Sequence, residues 1–219
     1  MEYFDKQWKE FTVHSLNSTQ SNVWYQRIVE AYKEPQRHYH TMNHINRLLM
    51  LSSQSKQTIH DSTVMFLSII FHDIVYDPKS STNELDSIKV FNEFIESATP
   101  KLSVVQIEMI QVFIKATIKH QLESIDSVTY LNDLKLFLDF DLEILSSSTQ
   151  IYKQYSTDIF NEYHFVSDYN QKRIQVLMTF LDRSNVYFTT FGDEVNDDGT
   201  VRLVALKLNL KNEIQTLNG

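Results

Sequence analysis

The chain has 219 residues, of which 42% are hydrophobic and 12% aromatic, enough apolar material to bury one sizeable core. Twenty basic against 28 acidic residues give a formal charge of -8 without a stripe of lysine and arginine, so we expect no nucleic-acid polymer as partner. The chain has no cysteine, which excludes disulfides and thiolate sites and leaves histidine, aspartate and glutamate to bind a transition metal.

Glycine is nearly absent. The only glycines are Gly192, Gly199 and Gly219, so residues 1–191 contain none. Loops of the P-loop or dinucleotide-binding kind need glycines to bring the backbone close to phosphate, so the sequence excludes both. No apolar run approaches the ~20 residues that a membrane span needs, and residues 1–10 do not resemble a secretory leader. We therefore expect a soluble, cytoplasmic protein without a membrane partner.

Apolar residues recur at spacings of three and four along most of the chain, which predicts helices. We expect one or two helices in 3–33, one from about Tyr39 to Ser52, a buried central helix over 58–71, and helices near 81–95, 103–120, 131–145, 149–190 and 202–217. Segment 191–201 has two glycines and four acidic residues, which predicts a solvated loop. The predicted fold is all-α, a bundle of eight to ten helices in one domain over 1–219. Its core motifs lie in 37–145, and helices 149–219 pack on them.

Two short stretches concentrate histidine. "RHYHTMNHI", residues 37–45, has three histidines in seven positions, and "SIIFHDIVYD", residues 68–77, places His72 and Asp73 at the end of an apolar run. On one helix His40 and His44 would lie one turn apart and could reach the same ion, although such pairs are often solvated surface residues. An unpaired His72 and Asp73 would be costly to bury among apolar residues, and a bound ion or a hydrogen-bonded neighbour would remove that cost.

Further polar residues interrupt apolar helices downstream. Asp139 and Asp141 stand among large apolar residues in "LFLDFDLEIL" and, about 200° apart on a helix, cannot face one point. His120 ends the apolar segment "MIQVFIKATIKH", where a cation is favourable at a helix C-terminus without any other role.

These residues together resemble the H…HD…D pattern of the HD-domain superfamily of metal-dependent phosphohydrolases, and more narrowly a family of predicted phosphohydrolases of about 200 residues. The resemblance spans residues 37–214 and is carried by the segments "RHYHTMNHI", "FHDIVYDPKSSTNELDS", "IKATIKH", "LDFDLEIL", "NEYHFV" and "KLNLKNEI". It implies an all-α fold in which four side chains from different helices meet at a divalent ion. The implied ligands are His44, His72, Asp73 and Asp141, with Asp139 the alternative to Asp141.

The resemblance implies an enzyme that hydrolyses a small phosphate ester, which a nucleotide would satisfy, with a divalent ion as cofactor. Mn, Fe, Co, Ni, Mg and Zn all suit nitrogen and oxygen ligands. Asp73 would orient the attacking water, and Glu84 would act as a base or as a support to the ligands. We expect His40, His120 or Lys119 to stabilise the leaving group and Arg37 to clamp phosphate.

Three departures from the family pattern bear on that function. Phe160 stands where an arginine is expected, Ser146 where a glycine is common, and 192–201 resembles an insertion. A missing arginine would alter phosphate recognition. Two other functions therefore stay open, a non-catalytic module that binds a nucleotide or a metal and a metal-free structural protein. Exposed apolar residues would also allow a homodimer.

Overall fold

The computed structural model describes residues 1–122, 125 and 127–219. These residues form ten α-helices and two short 3-10 helices and contain no β-strand, which confirms the all-α prediction. Contacts divide the chain into two units, residues 1–137 and 138–219, and the boundary falls inside one helix. The expectation of a single domain stays a prediction. Among the helices described, none combines the length and apolar character that a membrane crossing requires.

The first unit is built around its most apolar helix. Its helices are α1 (Glu2–Ser15), α2 (Ser18–Ala31), α3 (Met42–Gln54), α4 (Ser62–Phe71), α5 (Asn83–Ala98), α6 (Val104–Ala116) and α7 (Val128–Asp141), the last of which ends in the second unit. Every residue of α4 from Val64 to Phe71 is buried, and α4 packs against α3, α5 and α6. The predicted central helix is confirmed, and its C-terminal end carries His72 and Asp73.

The start of α4 is fixed by two carboxylates. Asp61 is its N-cap and accepts the backbone N–H groups of Thr63 and Val64, which otherwise lack partners at a helix start. Asp133 of α7 is fully buried and accepts the N–H groups of His60 and Asp61. Because α4 is held in this way at its first turn, the residues at its other end have a defined position.

Two helix boundaries differ from the predicted ones in ways that matter for the site. Thr41 is the N-cap of α3 with extended backbone, so the helix begins at Met42 and His40 lies in the preceding loop, not one helical turn from His44. Thr117 is the C-cap of α6, so His120 lies beyond that helix and has a left-handed backbone with φ 46°. The spacing of histidines could not show either boundary because caps are set by local hydrogen bonds.

The second unit contains three further helices, α8 (Thr149–Tyr163), α9 (Tyr169–Leu181) and α10 (Arg202–Asn218), and the 3-10 helices Glu143–Ser146 and Thr190–Asp193. The prediction of helix throughout 149–190 is wrong, since residues 164–168 and 182–189 are not helical and Asp168 takes a left-handed conformation with φ 58°. Segment 191–201 is not a fully solvated loop either. The Asn196 side chain is buried and donates to the Ser146 carbonyl.

A buried charge pair joins α9 to α10. The Arg173 guanidinium donates to both carboxylate oxygens of Glu213, at 2.9 and 3.3 Å, and Tyr152 of α8 donates its hydroxyl to the same carboxylate. Burial raises the pKa of Glu213, but the hydrogen bonds from Arg173 outweigh it and hold that pKa below its ordinary value of 4.5. Burial and the Glu213 charge raise the pKa of Tyr152, which therefore remains a hydroxyl donor.

We predict that the Arg173–Glu213 pair makes stability dependent on acid pH. Because the folded state lowers the pKa of Glu213, its contribution is complete above about pH 4.5 and is lost as pH falls through the folded-state value. Glu213→Gln leaves Arg173 buried without its anion, so the free energy of unfolding at neutral pH should fall by about 3–5 kcal/mol.

Urea unfolding of wild type and variant between neutral and acid pH measures this difference, which should narrow as pH falls. Glu194→Gln, at an exposed glutamate, is the control and should unfold like the wild type. An equal loss of stability at every pH would contradict the prediction.

Candidate metal centre

His72 and Asp73, which we call the HD pair, follow directly on the last turn of α4. His72 is the C-cap of α4 and keeps helical backbone angles, φ -61° and ψ -38°. Its side chain is 1% exposed, and its ring meets the edge of the Phe137 ring of α7 with 5.8 Å between centroids. The Asp73 side chain is 16% exposed, so this carboxylate is the more open member of the pair.

Helix α3 brings a second imidazole to the pair. His44 lies in the first turn of α3, and its Nε2 is 3.3 Å from Nε2 of His72. Oδ2 of Asp73 lies 3.1 Å from Nε2 of His72 and 3.9 Å from Nε2 of His44. The two sequence stretches therefore meet, and three atoms of the kinds that can bind a metal lie within 3.9 Å of one another.

The other ring nitrogen of each histidine is occupied. Nδ1 of His72 lies 2.8 Å from the Ile69 carbonyl, which can only accept, so this nitrogen carries the hydrogen. In the neutral ring, Nε2 of His72 then presents its lone pair toward the Asp73 carboxylate. Nδ1 of His44 lies 3.0 Å from the Tyr39 hydroxyl, which orients the second ring.

A lone pair and a carboxylate oxygen 3.1 Å apart repel each other unless a positive charge lies with them. A divalent ion would supply that charge, and hydrogen bonding at the remote nitrogen is typical of histidine that binds metal. Without a metal, a second proton on His72 would supply the charge, or a hydrogen on Nε2 of His44 would donate to the His72 lone pair 3.3 Å away. The donor set fits a metal ion, and the described residues hold a group of histidine and aspartate side chains able to bind one.

Arg37 does not point its guanidinium toward solvent. Its side chain is 0% exposed and donates to the Glu34 carboxylate and to the main-chain carbonyls of His40, Asp73 and Ile74. Through these bonds the guanidinium holds the backbone around the HD pair. The predicted phosphate clamp finds no support in this geometry.

The remaining predicted site residues lie in other parts of the first unit. His40 is half-buried, stacks on Tyr76 with 4.4 Å between ring centroids, and lies 6.1 Å from the His44 ring by the same measure. Glu84 lies in the first turn of α5, Lys119 is exposed, and His120 is half-buried beyond α6. The roles of all four stay predictions.

The two aspartates near the end of α7 have different environments. Asp139 is fully buried, and its carboxylate accepts the backbone N–H groups of Phe188 and Thr189 and the Thr189 hydroxyl. Asp141 is half-buried and is the last residue of α7. Asp139 therefore fixes the loop before the second 3-10 helix, and the choice between the two aspartates as metal ligand stays a prediction.

Sequence reasoning missed the groups that orient the imidazoles. Tyr39 lies inside the quoted histidine motif, but a tyrosine there has no pattern that distinguishes it from a packing residue. The Ile69 carbonyl becomes a partner of His72 only because the ring folds back over the last turn of α4. Only the structure could identify these two contacts.

Comparison of the chain with family models, curated proteins and solved structures finds no match in any of the three. The resemblance to the HD superfamily therefore stays a prediction.

We predict that Asp139 contributes to stability and not to metal binding. Asp139→Asn removes the charge that accepts three hydrogen bonds. Bonds to a charged group are worth about 1.5–3 kcal/mol each, so the free energy of unfolding should fall by about 3 kcal/mol. Chemical denaturation measures this loss, and Asp182→Asn, at an exposed aspartate, is the control. Unchanged stability with lost metal binding would make Asp139 a ligand instead.

Proposed function

We propose that the protein is a metal-dependent phosphohydrolase that acts on a small phosphate ester, with nucleotides among the substrates to be tested. The observation that carries this proposal is the buried convergence of Nε2 of His44, Nε2 of His72 and the Asp73 carboxylate within 3.9 Å of one another. Two neutral imidazoles and a carboxylate leave coordination positions open for water and substrate.

Asp141 is the fourth ligand in this proposal. Phe137 meets the His72 ring, and on an α-helix Asp141 lies one turn further along on the same face. His44, His72 and Asp141 each offer a ligand atom of the kind that first-row divalent metals bind. The hydrogen bonds of Asp139 support this choice over the other aspartate.

A divalent ion in this site would supply a water of lowered pKa and polarise a phosphoryl oxygen. The protein groups have distinct tasks. The Tyr39 hydroxyl and the Ile69 carbonyl hold the two imidazoles with Nε2 inward. The carboxylate of Asp73 is more exposed than either imidazole, so it lies on the side from which substrate approaches and is placed to orient the attacking water.

The proposed substrate class rests on the net charge of the chain. The net charge of -8 disfavours a long polyanion and is compatible with a small ester that carries one or two phosphates. His40, beside the metal centre and half-buried, is the residue that we propose for stabilising the leaving group.

A non-catalytic module that binds a nucleotide or a metal is the second candidate. The specific observation that favours it is the buried guanidinium of Arg37, because the one arginine of the histidine motif is not available to phosphate. In addition, Phe160 stands where the family pattern leads us to expect a second arginine.

Elemental analysis of the purified protein, beside His72→Gln and Asp73→Asn, tests the proposal. We expect close to one equivalent of metal in the wild type and at least a tenfold loss of affinity in each variant, because each loses a donor. His164→Gln, at an exposed histidine outside the centre, is the control.

A screen of nucleotides and other phosphate esters with added Mn²⁺ then separates the two candidates. Release of phosphate by the wild type and not by His72→Gln supports the hydrolase. Bound metal without release of phosphate from any ester would favour the binding module. No metal in the wild type would contradict the hydrolase and leave a metal-free binding or structural role.

Asp141 and Asp139 form a matched pair for a separate test. We expect Asp141→Asn to lose metal while its urea midpoint stays close to that of the wild type, since Asp141 is half-buried. Asp139→Asn should keep its metal affinity and unfold at a lower urea concentration. Calorimetric titration with Mn²⁺ and urea unfolding of both variants measure the two effects, and full metal affinity in Asp141→Asn would remove it from the ligand set.

A further inference from the structure

We infer that Arg37 is a positioning residue of the metal centre, which acts by tying the main chain of the HD pair to the loop that precedes α3. This inference rests on the proposed function, since it concerns the same site. In this role Arg37 acts on the protein backbone and does not bind the substrate.

The contacts of Arg37 span the two sequence stretches that form the centre. One terminal nitrogen, Nη1, donates to the His40 carbonyl at 3.1 Å and to the Asp73 carbonyl at 2.7 Å. The other, Nη2, donates to the Ile74 carbonyl at 3.0 Å. One side chain therefore links the loop before α3 to the two residues that follow His72.

The carbonyls that Arg37 binds are ones that regular structure leaves without partners. Asp73 and Ile74 lie just beyond the C-cap of α4, outside any helix or strand that could supply donors to their carbonyls and close to the negative end of the helix dipole. A cation placed there satisfies them and is attracted by the dipole. The same bond fixes the backbone of Asp73, whose carboxylate reaches both imidazoles.

The surroundings of Arg37 hold the guanidinium in one orientation. Its central carbon lies 4.9 Å from the Tyr32 ring centroid and 5.2 Å from that of Tyr76. Nε donates to the Glu34 carboxylate at 3.0 Å, which compensates the buried charge. Since Tyr76 also stacks on His40, the arginine, the tyrosine and the histidine form one packed group beside the centre.

Lysine cannot replace this arrangement. The guanidinium is planar and presents its donors in a fixed fork, whereas an ammonium is a point charge that cannot reach three separated carbonyls while lying between two rings. Arg37→Lys therefore keeps the charge and removes the geometry. If Arg37 positions the HD pair, this variant should lose metal affinity by about 10- to 100-fold, the effect typical of groups that support metal ligands.

The test compares Co²⁺ and Mn²⁺ binding by wild type, Arg37→Lys, Glu34→Gln and Arg27→Lys. Calorimetry gives the affinities, and the visible spectrum of bound Co²⁺ reports the ligand geometry. Glu34→Gln removes the anion beside the guanidinium but keeps an oxygen that can accept from Nε, so we expect it to lose less affinity than Arg37→Lys. Arg27 pairs with Glu93 and contacts the Trp24 ring at a more exposed site, so Arg27→Lys is the matched control and should bind normally.

Arg37→Ala with added methylguanidinium provides a second measurement. The truncated side chain leaves space for a free guanidinium, which should restore metal binding, whereas methylammonium should not. Circular dichroism of each metal-free variant shows whether it is folded before metal is added.

The outcomes distinguish the inference from the proposed function. Weakened binding and an altered Co²⁺ spectrum in folded Arg37→Lys, with rescue of Arg37→Ala by methylguanidinium, support the inference. Wild-type affinity and an unchanged spectrum in Arg37→Lys would overturn the inference while the metal site stands. Failure of the wild type to bind either metal would overturn the metal site and the inference with it.

Discussion

The close approach of two imidazoles and a carboxylate at the end of α4 is the constraint on which the first unit depends. Transfer of a polar group into an apolar interior costs several kcal/mol unless a partner compensates it. His72 follows eight consecutive buried residues and is itself 1% exposed, so its position costs more than that of any surface histidine. The Tyr39 hydroxyl, the Ile69 carbonyl and the Asp73 carboxylate lie against the two rings and offset part of that cost.

Helix α4 is anchored at both ends by polar groups that act on the main chain. Asp61 and Asp133 bind the backbone N–H groups at its start, and Arg37 binds carbonyls just beyond its end. Between these anchors the helix is held by apolar packing, which is not directional. Hydrogen bonds of defined geometry at both ends therefore determine where along its axis the helix sits, and so where His72 meets His44.

The sequence predicted the helical class, the buried central helix and the meeting of His44 with His72 and Asp73. Apolar periodicity carries the first two, and the resemblance to the HD superfamily implied the third. It could not predict the break after Tyr163, because an apolar pattern of helical spacing continues across residues that locally leave the helix. The sequence also could not show that Arg37 is buried among main-chain carbonyls, and its predicted role as a phosphate clamp stays a prediction.

The pair Asp139 and Asp141 shows why residue type alone could not complete the site. Both are carboxylates among large apolar residues, two positions apart on one helix, and the sequence distinguishes them only by resemblance. Only the structure shows that three donors from the loop at 188–189 converge on Asp139. A carboxylate that accepts three hydrogen bonds is stabilised as an anion without a metal ion. It would lose those bonds if it turned toward a metal ion. Three donors from one loop therefore give Asp139 a structural task, and no pattern in the sequence distinguishes a carboxylate with that task from a metal ligand.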